Sequence, residues 1–497
     1  MSMTPDDSSS RRKDVQRLAG RREETDLQKY FSLGLSNEDD PIVDDVVINT
    51  IRTPPNTKSQ SFNRVIFEIP KVGLLTKDSG IMVQPRVSAT SSNSSSNIAL
   101  NIVNGVLGCV KRCSLNIDGK ELTNIENPSI LETNRLYSRN TPARMFDYQN
   151  VVLGSAFSVV NLSEEFKTAD HQGVEILDSE QSTVRHTKGD TFVTKNNLSG
   201  PASASANNKY MIPLHMLGMS FLRHQALPVH LMRDRDLVLE VEFDSDCRNW
   251  AFNGTGTALT ASDCDINLDA CELITTHIQQ NEELEQMLFD ELKESSRVYD
   301  LMETYLIKQS MVNNGVGTAT NTLVRLNLQN RELQKILQCQ VPTSADGSNP
   351  VANQVSESLG DISLNHRSNG VFIFDRRVSN NAQQFYLNSG YNEERGLKVS
   401  NNAWSQTALQ TSGQLVSSNK DFTSYCGRFN YLGVNYRNGN DGVFGAGVVQ
   451  TTPLEIHYDS TARKASNPNQ VGEKDLFYYV SVSKRLVISQ NAVQMTF

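Results

Sequence analysis

The chain states one pattern twice. Each half opens on short strands broken by polar turns, carries a long insertion rich in Ser, Asn and Gly, and closes on long strands. The first half closes on Leu237-Val238-Leu239-Glu240-Val241-Glu242-Phe243. Leu237, Leu239, Val241 and Phe243 share one side and Glu240 and Glu242 the other, the signature of a strand with one buried and one wet face. The second half closes on Leu476-Phe477-Tyr478-Tyr479-Val480-Ser481-Val482 and Leu486-Val487-Ile488, also read as strand. One short helix is expected between the halves. Asn281 serves as its N-cap, Glu282 and Glu283 suit its positive end, and Leu284, Met287, Leu288 and Leu292 fall on one face.

With 497 residues, two β-sandwiches of roughly 200–250 residues each use the length well. The expected division is an N-terminal arm over 1–44, a first unit over 45–280 with an insertion at about 155–210, a linker helix over 281–294, and a second unit over 295–497 with an insertion at about 342–425. Strands are placed at Arg64-Val65-Ile66-Phe67-Glu68-Ile69, within Ile98 to Ile117, at Ile266 to Ile278, at Thr322 to Leu328 and at Leu333 to Val341. The second half is expected to restart at Tyr305-Leu306-Ile307. Asp118-Gly119 is a hairpin turn signal, with a faint counterpart at Leu387-Asn388-Ser389-Gly390.

Composition narrows the function classes. A hydrophobic fraction of 38% with 7% aromatics is low but globular, as expected when long polar loops dilute two cores. The net charge of −9 argues against a surface that coats nucleic acid throughout. The residues Arg11, Arg12, Lys13, Arg17, Arg21 and Arg22 form a basic cluster in the arm, offset by Asp6, Asp7 and Asp14. Two readings of this arm stay open: a solvated tail, or a segment that orders against a neighbouring subunit, another partner or an anionic surface. The N-terminus has no apolar core of a signal peptide, and no window approaches the about 18 apolar residues of a membrane span. The seven cysteines include no Cys-x-x-Cys pair and read as buried reduced thiols, which implies assembly in cytosol or nucleus.

No constellation carries chemistry. There is no phosphate-binding glycine loop and no His-Glu-x-x-His, and the eight histidines are scattered. Ser481-Val482-Ser483-Lys484 matches a serine–lysine nucleophile pattern but lies in a strand. No catalytic, cofactor-binding or metal-binding residue is assigned.

The order of segments resembles that of the double jelly-roll major capsid proteins of icosahedral double-stranded DNA viruses, of virophage and Polinton-like type. The resemblance runs over roughly residues 45–497. It is carried by Ile212-Pro213-Leu214, Leu227-Pro228-Val229 and the Leu237–Phe243 strand, then by the 267–278 strand, the helix and Tyr305-Leu306-Ile307-Lys308-Gln309. Leu323 to Asn330, Glu332-Leu333, Ile336-Leu337-Gln338, Phe385-Tyr386-Leu387-Asn388 and the closing segment from Leu476 to Phe497 continue it. The resemblance implies an all-β fold of two tandem eight-stranded jelly rolls with long loop insertions and a short connecting helix. It implies a non-enzymatic protein without cofactor, forming pseudo-hexameric homotrimers that tile an icosahedral shell around a double-stranded DNA genome. Neighbouring capsomers, minor capsid and penton proteins are the implied partners, with the arm facing an internal membrane or the genome. The implied location is the virion, assembled in host cytoplasm or nucleus. The alternative is a carbohydrate-binding or carbohydrate-active tandem β-sandwich protein, set against only two tryptophans, Trp250 and Trp404, both in polar loop contexts.

Overall fold

The computed structural model describes residues 47–88, 98–100, 105–132, 152–154, 198, 209–342, 361–379, 432–436, 447–461 and 472–496, apart from a few short gaps, together with residues 383, 387 and 391. The arm over 1–44, and with it Arg11, Arg12, Lys13, Arg17, Arg21 and Arg22, lies outside the described residues. So do nearly all of 155–210 and most of 342–425.

Eight principal strands come first: β1 (Val47–Thr53), β2 (Arg64–Glu68), β3 (Gly80–Val83), β4 (Val110–Ile117), β5 (Lys120–Glu126), β6 (Tyr210–Pro213), β7 (Leu237–Phe243) and β8 (Glu272–Gln279). Helix α1 (Glu282–Glu291) follows. Eight more principal strands follow: β9 (Arg297–Asn313), β10 (Ala319–Leu326), β11 (Glu332–Pro342), β12 (Asp361–Ser368), β13 (Val371–Phe372), β14 (Leu432–Asn435), β15 (Leu454–Thr461) and β16 (Gly472–Ile488), with short strands at Val448–Val449 and Val493–Thr496.

The sheet orders show that the halves repeat one topology. The first half pairs β1-β8-β3-β6 in one sheet and β2-β7-β4-β5 in the other; the second pairs β9-β16-β11-β14 and β10-β15-β12-β13. Counted within each half, both read 1-8-3-6 and 2-7-4-5, with every pairing antiparallel. Strand 1 pairing with strand 8, and strand 2 with strand 7, is the winding of a jelly roll, two Greek keys closed into a double sheet.

The turn joining the fourth and fifth strands is also repeated. Asp118-Gly119 joins β4 to β5 with φ of 49° and 73°, and Asn369-Gly370 joins β12 to β13 with φ of 49° and 83°. Two successive positive φ values are the requirement of a tight two-residue hairpin, which Asn or Asp followed by Gly meets at least cost. The counterpart of Asp118-Gly119 is therefore Asn369-Gly370 and not the segment around Ser389. Accordingly, the polar stretch 342–425 is not insertion throughout, because residues 361–372 supply two of the eight strands.

Local differences from the sequence reading have simple causes. The second half begins at Arg297, eight residues before Tyr305, because β9 pairs with β16 without a break from Arg297↔Ile488 to Asn313↔Gly472. The run Ile98 to Ile117 is interrupted by a 3-10 turn at Gly105–Cys109, and Ile266 to Ile278 by another at Leu268–Ala270. Helix α1 packs on the first half, where Phe289 touches the core and Arg233 lies 3.6 Å over its ring.

Burial explains the composition of the closing strands. β7 alternates buried and half-buried positions along its length, with Glu240 paired to Arg64 at 3.0 Å and Glu242 to Lys111 at 2.7 Å on the wet side. β16 behaves differently. Leu476, Tyr478, Val480 and Val482 enter the core of the second roll, while Phe477 and Tyr479 join the cluster that holds the core of the first. Leu476-Phe477-Tyr478-Tyr479-Val480 is therefore a continuous apolar run because its sheet is covered on both faces.

Candidate functional site

The two rolls meet at a built face outside their individual cores. Leu301 of β9, Leu337, Cys339 and Val341 of β11, and Phe477 and Tyr479 of β16 lie in the same apolar cluster as Leu122 and Ile125 of β5. Strand β5, the edge of its sheet, is thus covered by the second roll and not left open, which removes a site for uncontrolled strand pairing.

Polar contacts set the register of this junction. The Lys484 ammonium donates to the carbonyls of Glu121 at 3.0 Å and Leu122 at 2.9 Å, and to the Glu303 carboxylate at 3.1 Å. Its side chain is 4% exposed and that of Glu303 8%. Burial holds the Glu303 carboxyl above its usual range, against the opposing pull of Lys484. The Tyr479 hydroxyl donates to the Asn127 carbonyl at 2.7 Å, and the Lys120 ammonium to the Val493 carbonyl at 2.9 Å. At the rim, Lys308 pairs with Glu126 at 3.1 Å and Gln225 donates to the Asp300 carbonyl at 3.1 Å. A salt bridge with three satisfied donors, framed by aromatics, locks two rigid bodies in one orientation.

The same geometry removes the serine–lysine pattern from consideration as chemistry. Ser481 bonds Thr304 at 2.7 Å while Lys484 bonds Glu303. Thr304 and Glu303 are consecutive on one strand, so Ser481 and Lys484 stand on opposite faces of β16. Histidines His230, His277 and His366 are buried, and burial lowers their pKa values to about 4, about 4 and about 3. Among the described residues no group of three His, Cys, Asp or Glu side chains is placed to hold a metal ion, and no helix is long and apolar enough to cross a membrane.

Trp250 is fully buried in the first core, contrary to its polar-loop appearance, and its Nε1–H donates to the Asp244 carbonyl at 3.3 Å. It is a packing residue and not a sugar platform. Trp250→Phe is expected to lower stability by roughly 1–2 kcal/mol through lost volume and the loss of one of the two donors to the Asp244 carbonyl, which Asn63 also reaches, measured by chemical denaturation. Trp404 lies outside the described residues.

The outward surface carries exposed apolar side chains at strand edges and turns. Val47 and Ile48 stand on β1, which pairs with β8 on one side, and Val371, Phe372 and Ile373 stand on and beside β13, the last strand of its sheet. Solvated alone, these residues gain by contact with another surface.

The decisive observation is the doubled winding. The fold is a double jelly roll. Solved structures that align with it include viral capsid proteins. The major capsid protein of Faustovirus aligns with a TM-score of 0.55 at 12% identity, covering 96% of this chain and 96% of its own. VP54 of PBCV-1, from a crystal structure fitted into a cryo-EM reconstruction of the virophage Sputnik, aligns at 0.54 and 11% identity, covering 91% of this chain and 97% of its own. A chain of the cryo-EM structure of the Sputnik virophage aligns at 0.50 and 11% identity, covering 94% of this chain and 91% of its own. No family model and no curated protein sequence matches the chain. At such identities the double jelly roll shares architecture with these proteins while its side chains are its own.

Sequence reasoning missed Lys484, Glu303 and Lys120 as junction residues. The available signal was a charged residue inside an otherwise apolar run, Lys484 after Val480 and Val482, which has no place on a two-sided buried strand unless a partner waits for it.

Proposed function

We propose that this chain is a structural capsid protein whose trimers, of pseudo-hexameric outline, tile an icosahedral shell around a double-stranded DNA genome. The observation that carries the reading is the pair of identical windings, 1-8-3-6 and 2-7-4-5 in each half, locked at one buried junction. Two similar rolls per chain give three chains six similar corners, which is the geometry a hexagonal lattice asks of a trimer. Likeness across nearly the whole chain to the Faustovirus major capsid protein supports the same reading. The exposed apolar residues of β1 and β13 suit contacts between copies, and the role is one of assembly, without turnover.

In this reading the chain divides into an arm over 1–44, a first roll over 45–280, a linker over 281–294 and a second roll over 295–497. The insertion at about 155–210 and the parts of 342–425 outside the strands of residues 361–372 supply outer towers and contacts between copies. Arg11, Arg12, Lys13, Arg17, Arg21 and Arg22 face inward, toward minor capsid proteins, a membrane or the genome. Penton proteins close the vertices of the shell. The mature protein resides in the virion after assembly in host cytoplasm or nucleus.

Deleting residues 1–30 tests the arm. The truncated chain is expected to keep its trimer but to yield few or no closed particles when expressed with its virion partners, scored by negative-stain microscopy. Normal particle yield would overturn the role given to the arm.

A further inference from the structure

The hairpin of β12 and β13 is clasped at its tip. Asn369 is exposed there with φ of 49°, and Gly370 follows with φ of 83°. The Asn369 carboxamide is held at both of its ends. Its nitrogen donates to the Val449 carbonyl at 2.9 Å, and its oxygen accepts from the Thr451 amide at 2.8 Å and the Thr451 hydroxyl at 3.0 Å. The receiving segment is itself anchored. Gln450 is fully buried, its backbone amide donates to the Arg331 carbonyl at 3.0 Å, and its carbonyl accepts from the Asn330 amide at 2.8 Å. The first roll builds the same clasp at the same place. Asp118, at the tip of the β4–β5 hairpin, accepts from the Asp236 amide at 2.9 Å and from Arg235 at 3.1 Å, directly before β7. The two clasps differ in one respect. Both partners of Asp118 are donors, which suits a carboxylate. One partner of Asn369 is a carbonyl, which an amide can bond and a carboxylate cannot.

We propose that Asn369 is a deamidation site gated by this clasp. Glycine after asparagine places no side chain over the backbone nitrogen that attacks, and the space around the position of a Gly370 Cβ is open to solvent. In the first step the Gly370 amide gives its proton to water and its nitrogen attacks Cγ of Asn369. The new C–N bond closes a five-membered imide, the bond from Cγ to Nδ2 breaks, and ammonia leaves with that proton. In the second step water adds to either imide carbonyl and opens the ring, which leaves aspartate or isoaspartate at position 369. No electrons are gained or lost. The closed clasp opposes the first step, because the carboxamide must leave Val449 and Thr451 to turn toward the Gly370 nitrogen. Local opening of the hairpin tip removes that restraint. The product carries a carboxylate with no hydrogen to give the Val449 carbonyl, so the clasp does not close again. The change loosens the fourth and fifth strands of the second roll. The first roll, clasped by Asp118, has no amide to lose at this place. The inference does not depend on the capsid reading.

The test incubates the full-length protein at pH 8, folded and in urea, and scores aspartate and isoaspartate at position 369 by peptide mapping. Conversion is expected in urea, and in the folded protein it is expected to run at least roughly tenfold slower. Thr451→Ala removes one of the three bonds at an exposed position. It is expected to speed conversion several-fold in the folded protein and to leave the rate in urea unchanged. No conversion in urea would overturn the site. Equal rates in the folded and unfolded wild type, or a folded Thr451→Ala no faster than wild type, would overturn the gate. Asn369→Asp carries the product side chain. Its thermal midpoint is expected to lie roughly 2–4 °C below wild type at pH 7, and the gap to narrow in acid as the carboxyl gains a proton to donate. A midpoint equal to wild type at pH 7 would refute the opening of the clasp by the product.

Discussion

Acidification from pH 6.5 to about 4 is expected to destabilise the folded chain. His230, His277 and His366 are buried with pKa values lowered to about 4, about 4 and about 3, against 6.5 when free. In this window the unfolded chain takes up protons that the folded chain refuses, so stability rises with pH and falls as pH drops. The contribution is fully present above the free value and is lost as pH approaches the folded one. Each shift of this size is worth about 3 kcal/mol, somewhat more for His366. His230 and His277 act on the first roll and His366 on the second, so both rolls lose stability as the pH falls. Desolvation is the leading cause at all three sites. His230 sits against the Gly73 carbonyl at 2.8 Å, and His366 against the Tyr436 hydroxyl inside the second core. Buried Asp244 and Glu303, whose carboxyls are held above their usual range, work the other way and soften the fall. Denaturant unfolding across this pH range is the measurement. His366→Phe is expected to flatten the curve, and a wild-type curve flat from pH 6.5 to about 5 would contradict the account.

Lys484→Ala is expected to cost about 3–5 kcal/mol, because it strands the Glu303 carboxylate in the junction and takes the donor from two buried carbonyls. The pair itself is not the source of the stability. Replacing both members, as in Lys484→Met with Glu303→Leu, is expected to recover most of the loss, since matched apolar side chains carry no desolvation penalty. The loss in Lys484→Ala shrinks as pH falls, because protonating Glu303 removes the stranded charge. Its carboxyl is already raised in the native protein, so its own contribution is present at low pH and declines as pH rises. Chemical denaturation of the single and double variants at two pH values reads all three effects. Equal destabilisation by the single and double changes would show that Lys484 and Glu303 act separately.

The elements that were legible in the sequence were those with one dry and one wet face. β7 announces itself because Glu240 and Glu242 need water and Arg64 and Lys111, whereas Leu239 and Val241 do not. Helix α1 is legible for the same reason, from its apolar spacing. β11 and β16 were recognised as strands, but their second buried face was not, because alternation vanishes when both sides are covered and nothing local says which neighbour covers them. The junction follows from that. Lys484, Glu303 and Lys120 are ordinary charged residues until the fold sets β5 against β9 and β16. Asn369-Gly370 carried the same turn chemistry as Asp118-Gly119, yet the polar residues around it hid two strands of the second roll. Trp250 was misread because Asp246, Arg248 and Asn249 surround it in sequence while its ring turns inward. The basic arm and the long insertions, which the sequence singles out by composition, lie outside the described residues.

The central claim is that two locked rolls make one third of a capsomer. Light scattering behind a sizing column, on the purified full-length chain, tests it most directly. A mass three times that of the chain, unchanged on dilution, is the result the account requires. A stable monomer at high concentration would contradict it.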